Sequence, residues 1–187
     1  MKFLSNIRLL LIGLWLGAAV FFSFSVAPTA FMVLRDRQVT TYLEHAGALV
    51  SQNLMIVNIS GLVIGLILLG GSFIGVGVTN RFLLWTERIL LLAMTAACAV
   101  GQFVIALWLR FVKAEIGRPI DEIAKDDPLR IKFDNLHEYS VWVLIVAMIA
   151  AFVVFFIIAG RSNSASAQKT VSKDKDLGFD FDKEFKI

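Results

Sequence analysis

The chain alternates between long runs without a formal charge and short polar segments. Residues 9–34 form the first such run, and residues 46–80, 89–109 and 139–160 form three more. An α-helix rises 1.5 Å per residue, so about 20 residues cross a hydrocarbon core of roughly 30 Å. Each run is long enough to cross a membrane once. The pattern predicts an all-α, integral membrane four-helix bundle, with spans at about 9–31, 50–74, 84–110 and 138–160.

Helical spacing of apolar residues continues outside two of these spans. Apolar positions from Val39 onwards predict an amphipathic lead-in to the second span. The pair Asp127-Pro128 is typical of an N-cap and a first-turn proline, which predicts a helix from Pro128 into the fourth span. Turns are predicted at residues 75–80 and 117–119. We expect these extended lead-in helices to cover one end of the bundle, or to form a partner or ligand surface there.

Residues 161–187 differ in composition from the rest of the chain. A Ser/Ala stretch is followed by alternating Lys and Asp, a pattern that indicates a disordered C-terminal tail. The sequence therefore predicts one transmembrane domain over residues 1–160 and a tail after it.

Composition supports a membrane protein and limits its partners. Hydrophobic residues make up 58% of the chain and charged residues 18%, whereas soluble domains are roughly 45–50% apolar and about 25% charged. The net charge of +3 is small and its basic residues are scattered, so we expect no nucleic-acid partner. The expected partners are the lipid bilayer and a membrane protein or second copy of the chain.

Orientation is not decided by charge, because eight basic residues lie near the spans on each side. We favour termini in the cytoplasm of a bacterial inner membrane, because the basic residues on the other side lie among acidic ones. The first run is far longer than the 7–15 residues of a signal-peptide core, which predicts a retained span.

Small and polar residues recur on helix faces within the spans. Gly13-x-x-x-Gly17 and Gly61-x-x-x-Gly65 are typical of faces on which helix backbones approach closely. Three polar residues are predicted to point into the bundle, because amides are costly against lipid: Asn58, Thr95 and Gln102. They form interhelical hydrogen bonds or line the path of a small solute.

Ionisable side chains lie outside the predicted span centres, which argues against a proton-coupled pump acting alone. The chain has no clustered acid–base set, and Cys98 lies mid-span in apolar surroundings. We therefore expect a protein that is not an enzyme and has no cofactor. The alternative is metal binding or transfer by His45 and His137, which precede the second and fourth spans beside carboxylates.

Two stretches carry a family resemblance. Residues 14–17 (LWLG), 21–22 (FF) and 27–31 (APTAF) resemble the opening of the transmembrane protein 205-like family, which carries domain of unknown function 4149. Residues 133–140 (FDNLHEYS) resemble its second recurring stretch. The family-like positions are Trp15, Gly17, Pro28, Phe31, Leu136 and His137.

This resemblance implies a four-helix membrane protein without an established activity or a catalytic residue. The Trp-Leu-Gly opening is also similar to copper-resistance membrane proteins, which is consistent with the metal alternative.

The four charge-free runs predict that the chain stays in the membrane fraction after alkaline carbonate washing. The first run should remain attached, because it is a span. Intact mass and N-terminal sequencing of the purified protein test this. A mature protein that starts near Pro28 or Phe31 would contradict the four-span prediction.

Overall fold

Four long helices form the body of the protein. The computed structural model describes residues 2–73 and 81–176, with side chains described up to Arg161. The helices are α1 (Phe3–Asp36), α2 (Tyr42–Gly71), α3 (Arg81–Ile116) and α4 (Pro128–Arg161). Each is long and apolar enough to cross a membrane. The predicted all-α four-helix membrane bundle is therefore confirmed.

The helices pack in chain order around the bundle. Each one contacts the next, and α4 closes the ring by packing on α1, so α1 and α3 lie diagonally, as do α2 and α4. The interior is apolar and includes Ile12, Leu91, Met94 and Val154, each 0% exposed. Many large apolar side chains face outwards, where lipid rather than water is their solvent.

Two π-helical turns interrupt the α-helical ladder. In α1, Phe22–Val26 directly precedes Ala27-Pro28, and the Ala27 N–H donates to the Phe22 carbonyl. Proline has no N–H to donate to the Phe24 carbonyl, and the wider turn lies where that bond would form. In α3, Gly101–Ile105 forms the second π-helix, closed by the Ala106 N–H on the Gly101 carbonyl.

The end of the bundle opposite the termini confirms the predicted lead-in helices. Helix α2 begins at Tyr42, well before the second span, and α4 begins at Pro128. The Leu129 N–H donates to the Asp127 carboxylate at 2.8 Å, so Asp127 is the N-cap. Gly117, with φ +65°, ends α3 in the left-handed conformation that glycine adopts most readily. The predicted turn at 75–80 lies outside the described residues.

Helical backbone continues beyond α4 as far as Asp176. Residues 161–176 belong to the segment for which the sequence predicts a disordered tail, and residues 177–187 lie outside the described part of the chain. The helix that begins at Pro128 therefore extends past the predicted domain boundary at residue 160.

Glycines in α2 let side chains of other helices reach its backbone. A Cβ on Gly61 would lie 2.7 Å from the Trp15 ring and 2.7 Å from Cys98 Sγ. The Trp15 Nε1–H donates to the Val57 carbonyl at 2.9 Å. The indole of α1 therefore occupies a notch that Gly61 opens in α2, with Cys98 of α3 beside it.

We expect Gly61→Ala to destabilise the bundle by about 1–3 kcal/mol, because the added methyl collides with a rigid indole in a packed interior. Gly47→Ala is the matched control, since a Cβ there meets nothing within 4 Å. Alanine is a better helix former than glycine, so the control should hold or gain up to about 1 kcal/mol. Reversible unfolding in mixed detergent measures both. Equal stability of the two variants would contradict the interpretation that Trp15 occupies a notch opened by Gly61.

Candidate functional site

The most deeply buried charge in the described part of the chain is the carboxylate of Glu87, which is 0% exposed. One of its oxygens accepts a hydrogen bond from Arg8 Nη2, and the other accepts one from Arg161 Nη1. Both contacts are also ion pairs. A buried carboxylate needs such partners, because it loses its hydration inside the bundle.

The up-and-down topology brings these residues together. Arg8 lies near the start of α1, Glu87 near the start of α3, and Arg161 at the end of α4. Successive helices run in opposite directions, so these three positions share the end of the bundle that carries the termini. Arg8 Nη2 also donates to the Leu68 carbonyl of α2 at 3.3 Å. All four helices therefore meet in one polar cluster, which we call the Glu87 network: Arg8, Leu68, Glu87 and Arg161.

The Glu87 network contains more donors than acceptors. Two guanidinium groups share a single carboxylate. Among the described residues, the buried Nε of Arg8 and the buried Nε and Nη2 of Arg161 have no hydrogen-bond partner. The side chains of Arg8 and Arg161 are 18% and 25% exposed. The cluster therefore keeps a net positive charge that reaches the protein surface.

Arg88 extends the positive end of the bundle. Its Nη2 donates to the Ser72 carbonyl at 2.9 Å, and its guanidinium lies 4.1 Å from the centroid of the Phe73 ring. The carbonyls at a helix C-terminus carry partial negative charge, so a cation here stabilises the end of α2.

A second polar group lies in the interior between α2 and α3. Asn58, Thr95 and Gln102 are 4%, 6% and 9% exposed. Thr95 Oγ1 donates to the Leu91 carbonyl of its own helix at 2.7 Å. A Cβ on Gly101 would lie 3.1 Å from Asn58 Nδ2, so this amide rests against the backbone next to Gln102.

The side-chain amides of Asn58 and Gln102 make no hydrogen bond with any residue that the structure describes. Each amide can donate two hydrogen bonds and accept two. This interior therefore offers unfilled donors and acceptors, without a formal charge, to a small polar molecule. We call it the amide pair.

The two histidines lie at the opposite end from the Glu87 network. His45 on α2 and His137 on α4 are both exposed, and their helices occupy diagonal corners of the bundle. Within residues 3–73 and 81–161, whose side chains the structure describes, no group of three or more ligands suited to a metal ion is found. Glu44, beside His45, pairs instead with Lys113 at 3.0 Å. The metal alternative gains no support from this geometry.

The family-like positions serve mainly in packing. Trp15 fills the Gly61 notch, Pro28 follows the π-helix of α1, and Leu136 is a buried residue of the α4 lead-in. Gly17 is different, because a Cβ there meets nothing within 4 Å.

Gly17 borders an apolar groove on the outer surface between α1 and α4. One part of about 480 Å³ and another of about 300 Å³ share Gly13 and Phe155. The lining residues are Asn6, Leu9, Leu10, Gly13, Leu14, Leu16, Gly17, Val20, Phe152, Phe155 and Phe156. We call this the α1–α4 groove. It lies on the side of the molecule that faces lipid, apart from the amide pair.

Sequence patterns alone did not identify the Glu87 network. Arg8, Glu87 and Arg161 each lie at the edge of a charge-free run, where an interfacial position facing water is the usual expectation. The order of the spans nevertheless contains the information that places these three residues together. With four antiparallel helices, the start of the first, the start of the third and the end of the fourth fall at one end.

Fold and site together define a multi-pass helical membrane protein with a charged cluster at one end. The family model described as Domain of unknown function (DUF4149) matches residues 10–118, which is more than half of the chain. The chain belongs to this family. The matched region spans α1 to α3 and includes Glu87 and the amide pair, while α4 follows it. Neither the curated proteins nor the solved structures contain a match to this chain.

Glu87→Gln should destabilise the bundle by about 1.5–3 kcal/mol, the usual loss for hydrogen bonds to charged groups. The amide is nearly isosteric, but it removes the charge and turns one acceptor into a donor that faces an arginine. Glu44→Gln is the control, because its ion pair with Lys113 is partly exposed and should contribute about 0–1 kcal/mol. Unfolding in mixed detergent compares them. Similar losses in both variants would mean that the Glu87 network does not stabilise the fold.

Proposed function

We propose that this protein is a non-enzymatic membrane protein that takes a small uncharged polar solute into its interior at the amide pair. One observation carries the proposal. Asn58 and Gln102 are buried in a membrane bundle, and their amides have no hydrogen-bond partner among the described residues.

Polar groups without partners are costly in the interior of a protein. A buried donor or acceptor without a partner costs about 1–3 kcal/mol. Buried polar groups in folded proteins are therefore nearly always paired, with protein, water or a ligand. The amide atoms of Asn58 and Gln102 are not among the fully buried atoms without a partner, so they keep some accessible surface on which a solute with donors and acceptors can bond.

The local backbone supports a binding role. Gln102 lies within the π-helix Gly101–Ile105, and π-helical turns inside α-helices are frequent at functional sites. Gly101 has no side chain, which lets the Asn58 amide approach the same turn. The polar groups of both helices thus converge where the regular ladder is interrupted.

The absence of charge at the amide pair favours a neutral solute. The buried acid of the bundle, Glu87, is engaged by two arginines at the end of the molecule. This arrangement also favours a non-catalytic role, since Cys98 is packed against Gly61 and His45 is exposed at the other end. Binding or passage of a solute requires only a few polar groups that fix the orientation of the bound molecule.

We also propose that both termini face the cytoplasm of a bacterial inner membrane. The loop-side cations Lys113 and Arg130 pair with acids at 3.0 Å. At the other end, Arg8 and Arg161 share one buried carboxylate, and Arg88 adds a third positive charge, which fits the positive-inside rule. The resemblance of residues 14–31 and 133–140 further suggests the transmembrane protein 205-like branch of the family.

The proposal predicts that the protein speeds the passage of urea or glycerol across a bilayer. Proteoliposomes are shrunk in a gradient of either solute, and reswelling is followed by light scattering. Wild type should reswell faster than protein-free liposomes. Asn58→Leu and Gln102→Leu should remove most of that difference, because leucine offers no hydrogen bond.

Two controls separate binding from folding. Asn53→Leu changes an exposed amide that donates to the Leu49 carbonyl of its own helix, so passage should stay unchanged. Asn58→Leu should not lose stability, because the Asn58 amide has no hydrogen bond to another described residue that the substitution could remove. Wild type that reswells no faster than protein-free liposomes with both solutes, or an equal loss in Asn53→Leu, would overturn the proposal.

A further inference from the structure

The Glu87 network and the α1–α4 groove share two helices, α1 and α4. Arg8 and the groove residues Asn6 and Gly13 belong to α1, while Arg161 and Phe155 belong to α4. Arg8 is five residues from Gly13, and Arg161 is six residues from Phe155. At 1.5 Å per residue, both arginines lie about 7–9 Å along the helices from the middle of the groove.

The charged end of this surface is suited to an anion. The two arginines of the network exceed its single carboxylate, and Arg88 adds a further positive charge nearby. The unpaired Nε of Arg8 and the unpaired Nε and Nη2 of Arg161 are buried, whereas Arg8 Nη1 is not among the buried atoms and makes no hydrogen bond within the described residues. Arginine donors that are only partly used are well matched to phosphate oxygens.

The other end of the surface is suited to a hydrocarbon chain. Apart from Asn6, the residues that line the groove are apolar or glycine. Glycines 13 and 17 lower the surface of α1, and the rings of Phe152, Phe155 and Phe156 form the opposite wall on α4. The groove runs from the charged end of the bundle towards the middle of the membrane-spanning region.

We propose that this surface binds one anionic glycerophospholipid, with its phosphate at Arg8 and Arg161 and an acyl chain in the α1–α4 groove. Charge complementarity identifies the headgroup, and the continuous apolar groove favours a lipid over free phosphate. Basic pockets between membrane helices bind anionic headgroups on the same grounds. The site is separate from the amide pair, so it does not rest on the proposed solute function.

The test is native mass spectrometry of the full-length protein, released from detergent with defined lipids. Phosphatidylglycerol and phosphatidylcholine of identical acyl chains are compared at equal concentration. One bound phosphatidylglycerol should be retained about tenfold more strongly, because the network carries excess positive charge. Equal retention of the two lipids would overturn the proposal.

The groove is tested without disturbing the network. Gly17→Leu places a side chain in open space within the groove, so the fold should be preserved while phosphatidylglycerol retention falls about fivefold or more. Gly47→Leu is the matched control, since a Cβ at Gly47 on α2 also meets nothing within 4 Å. Equal retention of phosphatidylglycerol by Gly17→Leu and wild type would mean that no acyl chain lies in the groove.

The charged end has its own test. Arg161→Gln should abolish the preference for phosphatidylglycerol over phosphatidylcholine, and a thermal unfolding curve with each sample reports whether the variant is folded. If it is unfolded, Arg161→Lys replaces it, and a weakened preference is expected because lysine cannot form the planar, two-point contact.

Inorganic phosphate distinguishes the two sources of the anion. It should compete with phosphatidylglycerol only weakly, because it cannot fill the groove. Full competition by millimolar phosphate, together with unchanged retention in Gly17→Leu, would mean a phosphate site rather than a lipid site.

Discussion

A carboxylate that is fully removed from solvent inside a membrane bundle has to be neutralised by the protein itself. Glu87 meets this constraint through arginines from the first and fourth helices, and Arg8 reaches on to a carbonyl at the end of the second. Each partner sits on a different helix, so the Glu87 carboxylate is neutralised only when α1, α3 and α4 are assembled, and the Leu68 carbonyl ties α2 to Arg8. Association in lipid lacks a hydrophobic driving force between helices, which makes such a cluster a means of specifying how the four pack.

Packing in the spans works by fitting side chains into glycine notches. The Trp15 indole occupies the notch opened by Gly61, and its N–H binds the Val57 carbonyl. Close approach of backbones and side chains supplies the van der Waals contacts on which membrane helices depend. Gly17 is the informative exception. It meets no neighbour, so its small size shapes an outward-facing groove instead of a helix contact.

The polar residues of the bundle fall into two environments with different chemistry. At the termini end, arginines in excess of their carboxylate create a positive cluster beside an apolar groove. In the interior, Asn58 and Gln102 supply neutral amides without partners among the described residues. The first environment is suited to an anionic lipid and the second to an uncharged solute. The site for a charged ligand and the site for a neutral ligand thus lie at different positions along the axis of the bundle.

The sequence by itself determined the class of protein and its elements. Charge-free length predicted four membrane helices, and local chemistry at Asp127-Pro128 and Gly117 located helix ends, because caps and turns depend on neighbouring residues alone. Only the tertiary structure decided what the polar residues touch. Arg8, Glu87 and Arg161 are far apart in the chain, and their contact follows from how the helices rotate and align. Whether Gly17 closes a helix contact or opens a groove is decided in the same way, since a small residue has the same helical spacing on either face.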